Sequence, residues 1–238
     1  RVEIIELLRC PEAHEPSALV TVAFTRDGDR LLSGELGCPV CGAAYSLRDG
    51  AVWLVHEGVR THDADVVSRP DGNAPPVDRR DVDRRDVDLR DVDLRDVEGT
   101  AALLDLSEPG MRTVLCGAYG TVAAALVDMT GARCMAIGGA AERGLPAEVD
   151  QVRMLSRARL PFADTCIDAL AVDATYAALL ADAARVVRVD GRVLAPSHLP
   201  VPHGLKELAR DATEWVAVVL PRSTAPVGLR RARATWPE

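Results

Sequence analysis

Two cysteines three positions apart are the residues of this chain best suited to chemistry. Cys38 and Cys41 stand in a Cys-Pro-Val-Cys-Gly run at residues 38–42. Two thiolates at this spacing on a tight turn can both bind one tetrahedrally coordinated ion. The glycine that follows them lets the backbone turn without steric strain. The run therefore predicts one half of a zinc site.

The other half has to come from residues upstream. Cys10 supplies one thiolate, but a regular spacing would put the second at Ala13, which has no ligand atom. His14 lies one residue further on, and an imidazole nitrogen can take the place of the missing thiolate. Zinc is the expected ion, and the expected metal ligands are Cys10, His14, Cys38 and Cys41.

The alternative is a former zinc-binding turn, or zinc knuckle, that has lost its metal and is held together by apolar packing alone. The segment carries apolar side chains that could do this, at Val20, Val22, Leu31, Leu36, Val52, Trp53 and Leu54. A disulfide framework is not expected, because a domain of this size has a sufficient core of its own. The remaining cysteines lie in or beside apolar runs and are expected to fill the core, namely Cys116, Cys134 and Cys166.

Residues 1–58 as a whole resemble a known family of small zinc-binding proteins. The likeness is carried by a Leu-Leu-Arg-Cys-Pro run at 7–11, the stretch with the paired cysteines at 34–42, and an Asp-Gly-containing run at 45–54. These parts resemble the zinc-ribbon subunits that partner and activate tRNA, ribosomal RNA and release-factor methyltransferases. The resemblance implies a zinc-ribbon-like β module that docks on a methyltransferase-like domain, here within one chain.

Residues 59–98 are predicted to form a charged linker. From Val77 onward four near-identical five-residue units follow one another, and residues 77–98 contain nine acids and six arginines. A period of five matches neither a helix nor a strand, so the tract offers no continuous apolar face. Its composition favours a solvated connector, and the alternative is that its arginine and aspartate side chains dock along a partner surface.

The C-terminal part, residues 99–238, alternates apolar strands with helical stretches. This pattern is typical of a parallel, doubly wound α/β sheet. Strands are predicted at residues 113–117, 133–137, 151–155, 168–173 and 192–196. Helices are predicted at residues 100–106, 121–129, 174–187 and 204–212. Two final apolar runs predict a closing hairpin, at 214–220 and 227–232.

The order of these elements resembles the class I S-adenosylmethionine (SAM)-dependent methyltransferases, particularly the small-molecule type related to quinone-ring methyltransferases. Three stretches carry the likeness, at residues 103–115, 160–170 and 184–194. They resemble the first helix and strand, the fourth-strand motif, and the next helix and fifth strand of that family. The resemblance implies an α/β fold with a Rossmann-like, seven-stranded methyltransferase sheet and a small N-terminal zinc-ribbon-like β module.

The residues that bind SAM in that family are replaced in this chain. Leu115 stands where the first strand should end in an acid, Gly138 where an acid should hold the ribose, and Ser156 where an acid should bind the adenine amino group. Because a carboxylate accepts two hydrogen bonds at once, their loss makes SAM binding doubtful. No catalytic residue is assigned. The degenerate SAM-pocket positions are Gly117, Tyr119, Gly120, Gly138 and Ser156.

Two functions are compatible with these replacements. The first is a degenerate, non-catalytic methyltransferase-like protein that acts as a scaffold or interaction subunit of a larger assembly, with Tyr119 and Tyr176 filling the vacated pocket. The alternative is an active SAM-dependent methyltransferase whose fused zinc ribbon replaces a separate activating subunit. The first predicts a filled pocket, and the second predicts measurable SAM affinity.

Composition narrows the choice of partners. The chain has 238 residues, of which 48% are hydrophobic, and a formal net charge of −8. That charge argues against general nucleic-acid binding, which needs clustered lysine and arginine. No run approaches the roughly 18–20 apolar residues of a membrane-spanning helix. We therefore expect a cytoplasmic chain with a protein partner.

Overall fold

The computed structural model describes residues 2–55, 94–138, 145, 148–154 and 159–222. Most of the five-residue repeats lie outside these ranges, as do the predicted apolar run at 227–232 and Ser156. None of the helices within the described ranges is long and apolar enough to cross a membrane.

The N-terminal part is an antiparallel meander of four strands preceded by one short helix. Its elements are α1 (Val2–Leu7), β1 (Val20–Asp27), β2 (Arg30–Gly37), β3 (Ala44–Arg48) and β4 (Ala51–Leu54). Asp49 and Gly50 both have positive φ in the two-residue turn between β3 and β4, the conformation that an Asp-Gly pair favours in tight hairpins. Of the apolar residues expected to hold this module together, Val20 and Val22 are more than half exposed, because they lie on the edge strand β1.

The C-terminal part contributes seven more strands. These are β5 (Arg112–Cys116), β6 (Arg133–Ile137), β7 (Asp150–Met154), β8 (Ile167–Val172), β9 (Val187–Pro196), β10 (Leu205–Arg210) and β11 (Glu214–Val219). The strands from β5 to β9 pair in parallel, and β11 pairs with β9 in antiparallel fashion. Each of the five predicted strands overlaps one of the observed parallel strands. The fold class is confirmed: the chain is a Rossmann-like α/β fold with a small β module at its N-terminus.

Both parts belong to one continuous sheet. Within the described residues the strand order is β1-β2-β3-β4-β7-β6-β5-β8-β9-β11-β10, because β4 pairs in parallel with β7. Residues after α1 strengthen the junction, since the backbone N–H of Arg9 donates to the carbonyl of Pro161 over 2.9 Å and that of Ala163 donates to Leu7 over 2.8 Å. The N-terminal module therefore extends the larger sheet at its β7 edge.

The helices differ from prediction in their bounds. α2 (Leu94–Leu103) begins before the predicted 100–106 and inside the residues assigned to the linker. The predicted helix 121–129 is a 3₁₀ helix, Gly117–Val122, followed by α3 (Ala123–Thr130). The predicted helix 174–187 is a 3₁₀ helix, Ala174–Asp182, followed by α4 (Ala183–Val186).

The helix predicted at 204–212 is wrong. These residues form β10, which pairs with β11 in a hairpin at the edge of the sheet. Asp211 fixes the turn, because its Oδ1 accepts hydrogen bonds from the backbone N–H groups of Thr213 and Glu214 over 2.7 and 2.8 Å. Backbone pairing with β11 outweighs the helical preference of the sequence. β11 coincides with the first of the two predicted apolar runs, 214–220, and its partner in the described hairpin is β10.

Apolar layers cover both faces of the sheet. Val114 and Cys116 of β5 point into one layer, and Leu115 points into the other. Cys134 is also fully buried, as expected, whereas Cys166 is only partly so. The alternation places the residue that replaces the missing first-strand acid inside the core, away from solvent.

Candidate functional site

The four predicted metal ligands come together at one end of the N-terminal meander. Cys38 and Cys41 lie on the turn between β2 and β3. Two backbone hydrogen bonds close this turn: the N–H of Gly42 donates to the carbonyl of Cys38 over 3.0 Å, and the N–H of Cys38 donates to the carbonyl of Ala43 over 2.8 Å. Gly42 has a φ of +71°, which glycine adopts without strain. The loop after α1 brings Cys10 and His14 to the same place.

The ligand atoms have nearly the spacing of a tetrahedral zinc site. All four lie within 4.8 Å of one another. Cys10 Sγ and Cys41 Sγ are 3.8 Å apart, and Cys38 Sγ lies 3.4 Å from Nε2 of His14. Ideal tetrahedral zinc separates two sulfur ligands by about 3.8 Å and a sulfur from a nitrogen by about 3.6 Å. The cluster can therefore hold a zinc ion after only small movements.

Hydrogen bonding orients the histidine. Its Nδ1 lies 2.6 Å from the backbone carbonyl of Glu15. A carbonyl only accepts, so Nδ1 donates to it, and Nε2 is the ring nitrogen that faces the cysteines. This is the arrangement that a zinc-bound histidine uses.

The thiols of the cluster differ in acidity. Burial raises the pKa of Cys38, but hydrogen bonds from the backbone N–H groups of Cys41 and Val40 outweigh it and bring the pKa to about 6. Burial dominates at Cys10 and raises its pKa to about 11, although a hydrogen bond with Tyr45 opposes the shift. The pKa of Cys38 thus lies below that of Cys10, and both cysteines would be thiolates with a metal ion bound.

Of the degenerate SAM positions, Gly117 and Gly138 lie at the carboxyl edge of the parallel strands, where ligands bind in doubly wound sheets. Gly117 follows β5 with a φ of +68°. The carboxylate of Asp173, which follows β8, occupies the space that a Cβ atom at Gly117 would need. One carboxylate oxygen also accepts the backbone N–H of Ala118 over 2.8 Å. A side chain of the protein therefore fills the glycine turn.

The end of the neighbouring strand β6 is filled in the same way. Gly138 has a φ of +64°, and the Tyr176 hydroxyl occupies the space of its missing Cβ atom. Tyr176 is buried and lies beyond β8, so its side chain reaches across the end of β5 to β6. The position where the resemblance expects a ribose-binding acid thus faces a tyrosine.

Tyr119 closes the other half of this edge. Its hydroxyl donates a hydrogen bond to Glu214 at the start of β11, across the ends of β8 and β9. Burial, and then the hydrogen bond to Glu214, raise the pKa of Tyr119, so the phenol keeps its proton. Gly120 is buried in the 3₁₀ helix, and Ser156 lies outside the described residues.

Sequence reasoning missed Asp173, Glu214 and Tyr45. Asp173 had a local signal, since an aspartate after a strand and before a helical stretch is a preferred N-cap, and its Oδ1 accepts the backbone N–H of Tyr176 over 3.2 Å. Its contact with Ala118, 55 residues away, had none.

No family model matches the sequence, and no curated protein matches it. Similar solved structures include the cyclase SpnF, at 18% identity over 48% of this chain and 57% of that chain, with a TM-score of 0.38. Geranyl diphosphate methyltransferase solved with SAM matches at 19% identity over 42% and 47%, with a TM-score of 0.35. Geranyl diphosphate C-methyltransferase from Streptomyces coelicolor, solved with S-adenosyl-L-homocysteine, matches at 17% over 43% and 42%, with a TM-score of 0.37. The chain spans about half the length of these structures, and similarity at this level assigns it no activity.

Proposed function

We propose that this chain is a methyltransferase-like protein without methyltransferase activity, which serves as a scaffold or interaction subunit of a larger protein assembly. One observation carries the proposal: Asp173 and Tyr176 fill the space over Gly117 and Gly138, the two glycines at the ends of β5 and β6. A working donor site needs that space, because the backbone of its glycine turn has to approach the cofactor closely.

The cost to SAM can be estimated from the missing contacts. The donor would have to displace the Asp173 carboxylate from the Ala118 N–H and the Tyr176 hydroxyl from Gly138. It would not gain the carboxylates that would hold its ribose and adenine. Each missing charged hydrogen bond is worth about 1.5–3 kcal/mol, and about 1.4 kcal/mol is tenfold in affinity. Two or three such losses weaken binding by about three orders of magnitude or more.

The junction between the two parts of the sheet supports docking of the N-terminal module within the chain. The strand β4 continues the parallel sheet beside β7, and Glu3 of α1 forms an ion pair with Arg133 of β6. The zinc-ribbon-like module, which we assign to residues 1–58, is thus docked within the chain itself. We assign residues 99–238 to the methyltransferase-like domain.

Calorimetric titration of the full chain with SAM and with S-adenosyl-L-homocysteine tests the loss of activity. We expect no heat of binding at millimolar ligand for protein whose circular dichroism shows it to be folded. A dissociation constant in the micromolar range would overturn the proposal and support the active enzyme instead.

We further infer that Cys10, His14, Cys38 and Cys41 hold a structural zinc ion. Such an ion would cross-link the loop after α1 to the β2–β3 turn and stabilise the module directly. All six cysteines are unpaired thiols, which fits a reducing compartment such as the cytoplasm.

Zinc analysis of purified protein tests this inference. We expect one zinc ion per chain, lost in a Cys10→Ala, His14→Ala double variant. Cys166→Ala is the matched control, because Cys166 is a partly buried cysteine outside the cluster, and it should keep its zinc. Metal that persists in the double variant would show that the ligand set is wrong.

That the chain binds a protein partner is a further inference, and it needs a test of its own. Purification of the native full-length chain followed by mass spectrometry should recover the same protein partner in repeated preparations. Recovery of the chain alone would contradict an interaction subunit.

A further inference from the structure

Tyr45 lies directly behind the cysteine cluster. It is the second residue of β3, four positions after Cys41, and its side chain is only 3% exposed. Its hydroxyl lies 3.3 Å from Cys10 Sγ and 3.4 Å from Oε1 of Glu12. The hydroxyl therefore has two neighbours with which it can form a hydrogen bond, one of them a predicted metal ligand.

The two distances do not have the same meaning. Hydrogen bonds between two oxygens are about 2.5–3.0 Å long, so the 3.4 Å contact with Glu12 is stretched and weak. Sulfur is a larger atom than oxygen, and a hydroxyl at 3.3 Å from Sγ is in close contact. Judged by these two contacts, the sulfur of Cys10 is the better partner of the hydroxyl.

Packing alone does not require the hydroxyl. Phenylalanine would fill the same space among the buried side chains of the meander without placing an oxygen there. A buried hydroxyl destabilises a protein unless it forms a hydrogen bond. Cys10 Sγ is an atom at that position that can give it a good partner.

We propose that Tyr45 is a positioning residue of the metal centre: its hydroxyl donates a hydrogen bond to the Cys10 thiolate when a metal ion is bound. This inference rests on the proposed Cys3His site. The bond fixes the rotamer of Cys10 and draws electron density from its sulfur. Residues that contact metal ligands in this way change metal affinity by about 10- to 100-fold.

A Tyr45→Phe variant of the full chain, loaded with Co²⁺ in place of zinc, tests the role. We expect the sulfur-to-cobalt charge-transfer band to move to lower energy, because a thiolate without its hydrogen bond gives up an electron more easily. We also expect competition with a chromophoric chelator to show zinc affinity reduced by about tenfold or more.

Leu47→Val is the matched control. Leu47 is buried on β3 two residues after Tyr45, so this change loosens the same strand without touching a ligand. It should lower the resistance of the module to urea and leave the charge-transfer energy unchanged. Tyr45→Phe should retain the wild-type circular dichroism spectrum, since it removes a single oxygen atom.

The outcomes separate this inference from the metal site itself. A Tyr45→Phe variant with the wild-type band and the wild-type zinc affinity would overturn the role of Tyr45 and leave the Cys3His site standing. A band that moves equally in Leu47→Val would also overturn it, because packing would then explain the shift. Wild-type protein that binds neither zinc nor Co²⁺ would overturn both.

Discussion

Replacing Asp173 with alanine tests whether the carboxyl edge of the sheet is filled for stability or kept for a ligand. One oxygen of this carboxylate accepts the Ala118 N–H over 2.8 Å, a charged hydrogen bond worth about 1.5–3 kcal/mol. The other oxygen caps the following 3₁₀ helix through the Tyr176 N–H at 3.2 Å, and a cap contributes about 1 kcal/mol. Because Asp173 is half-buried, solvent offsets part of both, and we expect a loss of about 2–3 kcal/mol.

Urea unfolding followed by circular dichroism measures this loss. With a denaturant dependence of about 1–3 kcal/mol per molar, the midpoint should fall by roughly 1 M without a change in slope. Asp173→Asn is the matched control, because the amide keeps an acceptor oxygen of the same length but loses the charge. It should cost about half as much as alanine, since hydrogen bonds to charged groups are about twice as strong as neutral ones.

The opposite sign would refute the reasoning. A carboxylate that is kept at a site for function often lowers stability, and its replacement then stabilises the protein. If Asp173→Ala leaves the midpoint unchanged or raises it, the carboxylate does not fill the glycine turn for structural reasons. That result would favour the alternative in which this edge of the sheet still binds a ligand.

Three further predictions concern other parts of the molecule. Gly138→Ala should lower the free energy of unfolding in urea by about 2–4 kcal/mol, because φ is +64° and the Tyr176 hydroxyl takes the space of the new methyl group. In a Tyr176→Ala background only the backbone strain of about 1–2 kcal/mol should remain. Equal losses in the two backgrounds would contradict the contact between Tyr176 and Gly138. Arg185→Ala should cost about 3 kcal/mol in urea unfolding, because the guanidinium bonds two backbone carbonyls and a carboxylate over 2.6–2.8 Å. Arg188 is exposed, so Arg188→Ala should lower the free energy of unfolding by at most about 1 kcal/mol. Similar losses for the two arginines would contradict the larger structural role of Arg185. Burial raises the pKa of Cys134 to about 12. A thiol reagent at pH 8 should therefore leave Cys134 unmodified until urea unfolds the chain. Rapid labelling of Cys134 in the native protein would show that the core opens.

The sequence predicted the central strands β5, β6 and β8 well, because most of each strand is apolar on both faces. A strand that packs between two layers is a nearly continuous apolar run, as in Val114, Leu115 and Cys116 of β5. Edge elements lack that signal. The residues of β10 include leucine, lysine, glutamate, alanine and arginine, all good helix formers, and only pairing with β11 makes them a strand. Such a partner cannot be recognised from a local pattern.

The metal cluster was predictable for a similar reason. Its ligands lie in two short segments; the spacing of Cys38 and Cys41 suggests coordination without its partner, whereas Cys10 and His14 have an irregular spacing and were assigned as the missing half of that site. Asp173 and Tyr176 carry no such pattern for their contacts with the glycines at 117 and 138, because those contacts form only when β8 takes its place beside β5. The sequence indicated that the acids are replaced and offered Tyr176 as a side chain that fills their space, but it gave no sign of Asp173 over Gly117.

The two tyrosines at the carboxyl edge explain how this sheet can remain ordered without a nucleoside. In a doubly wound sheet the crevice at this edge is formed by loops that diverge, and a bound ligand joins them. Here Tyr176 joins the loop after β8 to the end of β6, and Tyr119 joins the loop after β5 to Glu214 on β11. These side chains are part of the chain, so they are present at every ligand concentration, whereas a ligand stabilises only in proportion to its occupancy. A sheet held together in this way has contacts across its carboxyl edge at every ligand concentration, as the proposed scaffold would need.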